Sequence, residues 1–146
     1  MALDRCDEAN GCLQIVPGSH TWPILCTEKA DTTQSFTDVI VPLPPGASSV
    51  PVIMEPGDVL FFNGQIVHGS NPNTTGDRFR RALIGHYIEG DSQKVASWYS
   101  PTLRMDGTTI GLESSGKGTA CGVWVDHDGV AMPEVSGFEV VEKATE

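Results

Sequence analysis

Apolar residues fall in short runs, each closed by Gly, Pro, Asn or Asp, and the runs read as strands rather than helices. Residues 4 to 11 form a polar turn that leads into a strand from Cys12 to Val16, which Pro17-Gly18-Ser19-His20 stops. Trp22 to Ser35 is a loop or short helix. Asp38 to Leu43 and Val50 to Met54 flank the turn Pro44-Pro45-Gly46. Because Pro42 and Pro51 deny backbone donors to a ladder, both runs are expected at strand ends, edges or bulges. Glu55-Pro56-Gly57-Asp58 is a tight turn. Val59 to Phe62 is apolar on both faces, as in a strand buried between sheet layers.

Alternation then carries the reading further. If Gln65 to Ser70 is extended, Ile66, His68 and Ser70 point one way. A strand from Arg80 to Ile88 places Arg80, Ala82, Ile84 and His86 on one face. The loop between them holds Asn71, Pro72, Asn73 and Gly76 and turns the chain back as an antiparallel pair, so that His68, Ser70 and Arg80 line one cavity. Toward the C-terminus, Met105 to Thr119 is rich in Gly, Thr and Ser and reads as a linker. Val123 to Gly129 and Phe138 to Val141 read as two short strands of a hairpin. Asp126-His127-Asp128-Gly129 is explained by a strand that ends in an Asp-Gly turn, without a metal.

Composition supports this picture. The chain has 146 residues, one domain's worth, and its 16 Gly and 10 Pro imply many turns; all-β is the expected class. The formal net charge of −10 excludes a nucleic-acid groove or an anionic membrane surface as partner. Against that background Arg78, Arg80 and Arg81 make a local cationic site suited to a small anion. Neither an apolar membrane span nor a signal peptide is read, because the first ten residues already hold Asp4, Arg5, Asp7 and Glu8. Cys6, Cys12, Cys26 and Cys121 show no C-x-x-C pairing and read as reduced, mostly buried thiols of a cytoplasmic protein.

Three motifs in order give a family resemblance. Asn10-Gly-Cys-Leu-Gln-Ile-Val-Pro-Gly-Ser-His20, Pro56-Gly-Asp-Val-Leu-Phe-Phe62, and His68-Gly-Ser70 with Arg80-Arg-Ala-Leu83 and His86-Tyr87 resemble the C-terminal half of the phytanoyl-CoA dioxygenase family, over roughly residues 2 to 90. That resemblance implies an enzyme dependent on Fe(II) and 2-oxoglutarate that hydroxylates a small organic substrate. The implied fold is a double-stranded β-helix, a cupin-like jelly roll, incomplete at its N-terminal side. By position it implies that His68 is the distal iron ligand, that Arg80 holds the far carboxylate of 2-oxoglutarate, and that Ser70 is a second donor to that carboxylate, with Arg81 the rival of Arg80.

The family takes its other two iron ligands from a His-x-Asp motif upstream of the matching segment. None of His20, His68, His86 and His127 begins a His-x-Asp or His-x-Glu. The chain is therefore expected to be the distal part of an oxygenase, with residues 1–97 belonging to the β-helix and 98–146 a linker and hairpin extension. Self-association through unpaired sheet edges is expected to accompany such a fragment. The alternative is a non-catalytic cupin-like barrel that binds a small carboxylate or a partner chain. His20 is expected to be structural, bonded to nearby loop backbone, and His86, on the face of Arg80, to be a buried, hydrogen-bonded strand histidine.

Overall fold

The computed structural model describes residues 1–35, 37–115 and 119–139. Eleven strands follow in order: β1 (Leu13–Ile15), β2 (Glu28–Lys29), β3 (Val39–Ile40), β4 (Val50–Pro51), β5 (His68–Ser70), β6 (Lys94–Val95), β7 (Thr102–Leu103), β8 (Thr109–Ile110), β9 (Glu113–Ser114), β10 (Thr119–His127) and β11 (Val130–Glu139). Two 3-10 turns and no α-helix accompany them among the described residues, so the chain is all-β as expected. Contacts divide it into a unit of Met1–Ile84 with Ala120–Glu139 and, among the described residues, a second unit of Gly85–Thr119.

The first unit is organised around β1, the middle strand of the antiparallel sheet β4-β1-β5. Its register sets Leu13 opposite Ser70 and Ile15 opposite His68. Directly opposed residues share a face, so His68 and Ser70 stand beside Leu13 and Ile15, while Gln14 turns to the other side and accepts a bond from Ser49 Oγ at 2.8 Å. The strand stops where the sequence predicts. Ser19 is fully buried, donates from Oγ to Val16 O at 2.8 Å, and accepts from the Val67 amide at 2.8 Å. One hydroxyl thus ties the end of β1 to the entry of β5.

A second rail runs along the N-terminus. Ala2 bridges Ala82, and Cys6 bridges Met54. The amide of Leu3 donates to Arg81 O at 2.9 Å, and that of Gly57 to Ala2 O at 2.9 Å. Beneath it lies a small core of Ala2, Cys6 and Cys12 with Met54 against it. Burial pushes the Cys6 and Cys12 thiols up from their ordinary pKa, which makes them unreactive packing groups.

Other parts of the chain depart from the sequence reading. Val59 to Phe62 forms no strand, and Phe61 is 83% exposed. Apolarity on both faces needs cover on both sides, and among the described residues no strand pairs with this run. Arg80 to Ile88 is likewise not a strand beyond the single bridge at Ala82, so the alternation that would set His86 beside Arg80 does not apply. His86 belongs to the second unit, where its ring lies 5.3 Å from that of Tyr99. His20 is exposed and makes no bond to loop backbone; Ser19, its neighbour, does that work.

The cysteines also need correcting. Cys6 and Cys12 are free and buried, but Cys26 and Cys121 form a disulfide across 95 residues, so only two of the four are thiols. A parallel bridge between Leu25 and Gly122 brings them together, and the amides of Cys26 and Gly122 donate to Gly122 O and Ile24 O at 2.8 Å each. Trp22 and Trp124 meet edge to face at 5.0 Å, and Trp124 Nε1 donates to Pro42 O at 3.0 Å. The disulfide removes the support that four reduced thiols lent to a cytoplasmic location.

A C-terminal hairpin forms, but with longer strands than read: β10 begins at Thr119 rather than Val123, and the returning strand β11 starts at Val130 directly after the turn rather than at Phe138. β10 and β11 pair across Asp128-Gly129, which take φ of 56° and 85° as a two-residue turn requires. Asp126 Oδ1 accepts from the Gly129 amide at 2.8 Å, and His127 Nε2 lies 2.7 Å from Glu134 Oε1, so both acidic-histidine partners are used in the turn and ladder. Val140 and Val141 of the expected second strand lie outside the described residues. In the second unit, part of the expected linker is ordered: β7 and β8 pair antiparallel, and β6 and β9 pair parallel. No helix among the described residues is long and apolar enough to cross a membrane.

Candidate carboxylate-binding site

The arginine cluster is built on the polar segment that precedes β1. Asn10 is fully buried: its Oδ1 accepts from the Asp7 amide at 2.8 Å, and its Nδ2 donates to Arg5 O at 2.8 Å and to Phe79 O at 3.0 Å. A buried amide with its partners satisfied fixes the chains it joins. Gly11 follows at φ 75°, and a Cβ there would sit 2.2 Å from Asn71 O, so only glycine lets the loop after β5 lie this close. Thr74 completes the seam, its amide and hydroxyl both donating to Ala9 O, at 3.0 and 2.8 Å.

The three arginines have different fates. Arg78 donates from both Nη atoms to Asp7, at 2.7 and 2.9 Å, and this fork holds the Asp7 carboxyl well below its usual range, at about 2. Arg81 donates from Nε and Nη2 to Asp4, at 2.8 Å each, and its own amide adds a third bond to Asp4 Oδ2 at 2.9 Å. These bonds bring Asp4 likewise to about 2. Arg80 has no carboxylate partner among the described residues; its Nη2 reaches Ser70 Oγ at 3.3 Å. Two cations are neutralised internally and one is left available.

Arg80 and Ser70 face a shallow cleft of about 290 Å³, walled also by Thr33, Gln34, Ser35, Asn71, Pro72 and Asn73. Hydroxyls, amides and one unpaired guanidinium suit a carboxylate, which can take two parallel bonds from arginine and a third from serine. Of the residues that the sequence singled out, the structure thus brings Ser70 and Arg80 together. His68 shares the face of Ser70 on β5 but does not line this cleft.

The His68 ring is fixed by one bond of its own. Its Nδ1 lies 2.8 Å from Ile66 O, and a carbonyl only accepts, so Nδ1 carries the proton and Nε2 keeps its lone pair. The ring rests edge-on against Phe62 at 4.9 Å. An iron site of two histidines and a carboxylate is not met here: among the described residues no group of three or more His, Cys, Asp or Glu stands where a metal could be held. The residues present fit a carboxylate and do not fit a complete iron site.

Sequence reasoning missed Asp4, Asp7 and Asn10, whose partners lie 69 to 77 residues away. The available signal was a charge balance, Asp4, Asp7 and Glu8 before β1 against the three clustered arginines, but composition does not say which acid meets which base.

Residues 1–82 match the family model for phytanoyl-CoA dioxygenase, and the chain belongs to that family. Its relatives include Dioxygenase lolE1 of Epichloe uncinata, 34% identical over 64% of this chain and 33% of that protein. A probable phytanoyl-CoA dioxygenase of Caenorhabditis elegans is 36% identical over 62% of this chain and 30% of its own length. The peroxisomal phytanoyl-CoA dioxygenase of Rattus norvegicus is 31% identical over 65% and 29%. The chain spans about a third of the length of these curated relatives. No solved structure matches it significantly.

Proposed function

We propose that this chain supplies the co-substrate anchor of an Fe(II)- and 2-oxoglutarate-dependent dioxygenase built on a double-stranded β-helix. Arg80 takes the far carboxylate of 2-oxoglutarate as a planar fork, and Ser70 Oγ donates a further bond to it. His68 offers Nε2 as one metal donor, and the substrate is a small organic molecule. One observation carries the reading: of three clustered arginines, Arg80 alone has no carboxylate partner among the described residues, and it points at a hydroxyl in an open polar cleft. An unpaired guanidinium held beside neutral donors is an anion receptor.

The lack of a three-donor cluster among the described residues supports a second reading, a non-catalytic barrel that binds a small carboxylate. Titration of the full chain with 2-oxoglutarate, with and without millimolar Mn(II), separates the two. Under the oxygenase reading the metal and the dicarboxylate strengthen each other's binding, because linkage is reciprocal. Under the second, 2-oxoglutarate binds with an affinity that Mn(II) leaves unchanged. If Arg80→Ala does not weaken 2-oxoglutarate binding, both readings fail.

A further inference from the structure

The two peptide groups that flank Arg80 are both held by side chains from the segment before β1. The carbonyl of Phe79, in the peptide joining it to Arg80, accepts from Asn10 Nδ2 at 3.0 Å. The amide of Arg81, in the peptide joining it to Arg80, donates to Asp4 Oδ2 at 2.9 Å. Peptide groups are planar, so the orientation of these two planes sets φ and ψ at Arg80, the only soft backbone torsions there. The holders are themselves held. Asn10 is fully buried and bonded to Arg5 and Asp7, and Asp4 also grips the Arg81 guanidinium through two bonds of 2.8 Å. Arg80 lies in no strand, so no ladder does this for it.

From this geometry we infer that Asn10 and Asp4 are positioning residues for Arg80, and that Asp4 also determines ligand class by removing the rival Arg81 from the site. Asn10 sets the approach of the chain before Arg80, Asp4 the exit after it. With Arg81 bound to Asp4 and Arg78 to Asp7, one guanidinium remains, the right number for the single carboxylate end of a dicarboxylic acid and too few for a polyphosphate. The inference rests on the assignment of Arg80 as the carboxylate anchor.

The test uses the full chain, with 2-oxoglutarate and inorganic pyrophosphate as probes followed by NMR shift titration, which reads millimolar affinities. Arg80→Ala is expected to weaken 2-oxoglutarate binding at least tenfold. Asn10→Ala and Asp4→Ala are expected to weaken it about fivefold each. Asp4→Ala should add no loss on an Arg80→Ala background, because it acts through that side chain. With Arg81 released, Asp4→Ala should also move the pyrophosphate-to-2-oxoglutarate affinity ratio at least tenfold toward pyrophosphate, a change that loosened structure alone would not produce. If Asn10→Ala fails to fold, Asp4→Ala, whose side chain is partly exposed, carries the test alone. Folded Asp4→Ala that binds both probes as the parent chain does, while Arg80→Ala abolishes 2-oxoglutarate binding, overturns the inference. Arg80→Ala without effect overturns the anchor assignment and the inference with it.

Discussion

The Arg80 end and the His68 end of the candidate site are held by very different amounts of structure. Around Arg80, Asn10, Asp4 and Asp7 make a network whose bonds cross 69 to 77 residues of sequence and whose central amide is fully buried. The His68 backbone is held in β5 opposite Ile15, but its side chain keeps one bond, to Ile66 two residues back, and one ring contact, with Phe62. A carboxylate can be recognised by one arginine and a hydroxyl that the chain places itself. A metal needs three donors, and no such group stands together among the described residues. The proposed anion anchor therefore rests on this segment's own packing, while the proposed metal site lacks a full donor set among the described residues.

The largest way to break the comparison is to open the seam under the Arg80 end. Gly11→Ala meets both a backbone atom 2.2 Å from the new Cβ and a φ of 75°. The left-handed conformation alone costs about 1–2 kcal/mol, and the clash with a backbone carbonyl adds to it. A loss of about 3 kcal/mol or more is expected in urea unfolding, together with loss of 2-oxoglutarate binding. A variant as stable as the parent would mean that the loop after β5 does not pack on Gly11.

How legible this was depends on range. The strand from Cys12 and the turns at Pro44-Gly46, Glu55-Asp58 and Asp128-Gly129 rest on local chemistry, and they formed where the sequence placed them. Ala47 donates to Pro44 O at 3.1 Å and Asp58 to Glu55 O at 3.0 Å, both within four residues. Val59 to Phe62 and Arg80 to Ile88 carry strand-like patterns, yet a strand exists only with a partner ladder, which a pattern cannot supply. The Cys26–Cys121 pair was hidden for a related reason: connectivity across 95 residues is a tertiary fact. Ser70 and Arg80 were singled out by motif, and the structure brings them together without the strand that was meant to align them.

Next in size is the contrast within the cluster. Arg80→Ala should weaken 2-oxoglutarate at least tenfold, about 1.4 kcal/mol or more, whereas Arg81→Ala should change it less than threefold, because Arg81 is already spent on Asp4. Calorimetry or shift titration decides. The reverse order would assign the anchor to Arg81 and leave the Asp4 pairing without a purpose in the site.

Acid should open the Arg80 end. Asp4 and Asp7 have carboxyls lowered to about 2 in the fold from ordinary values near 3.8, so the folded state holds fewer protons than the unfolded one in that interval. The stability these pairs contribute is present above about pH 4 and is lost as pH falls toward 2. Unfolding midpoints measured from pH 5 to 2 should fall across that window, and Asp4→Asn with Asp7→Asn should flatten the fall. An unchanged slope in the double variant would place the acid sensitivity elsewhere.

Smaller still is Ser70→Ala. A 3.3 Å bond to Arg80 and one donor to the ligand are worth about 1 kcal/mol net, so a loss of about fivefold in 2-oxoglutarate affinity is expected, with folding unchanged because Ser70 is exposed at the end of β5.

The weakest signal should come from metal at the His68 end. One imidazole with a free Nε2 binds Mn(II) or Co(II) in the millimolar range, and no group of three donors stands among the described residues to hold the metal more tightly. Calorimetric titration of the full chain should therefore give no stoichiometric micromolar site, and His68→Ala should remove only the faint broadening of nearby NMR signals by Mn(II). A micromolar site abolished by His68→Ala would show that the chain assembles a full donor set after all, and would erase the difference between the two ends of the site. Asp126, Asp128 and His86 would then be substituted in turn to find the remaining donors.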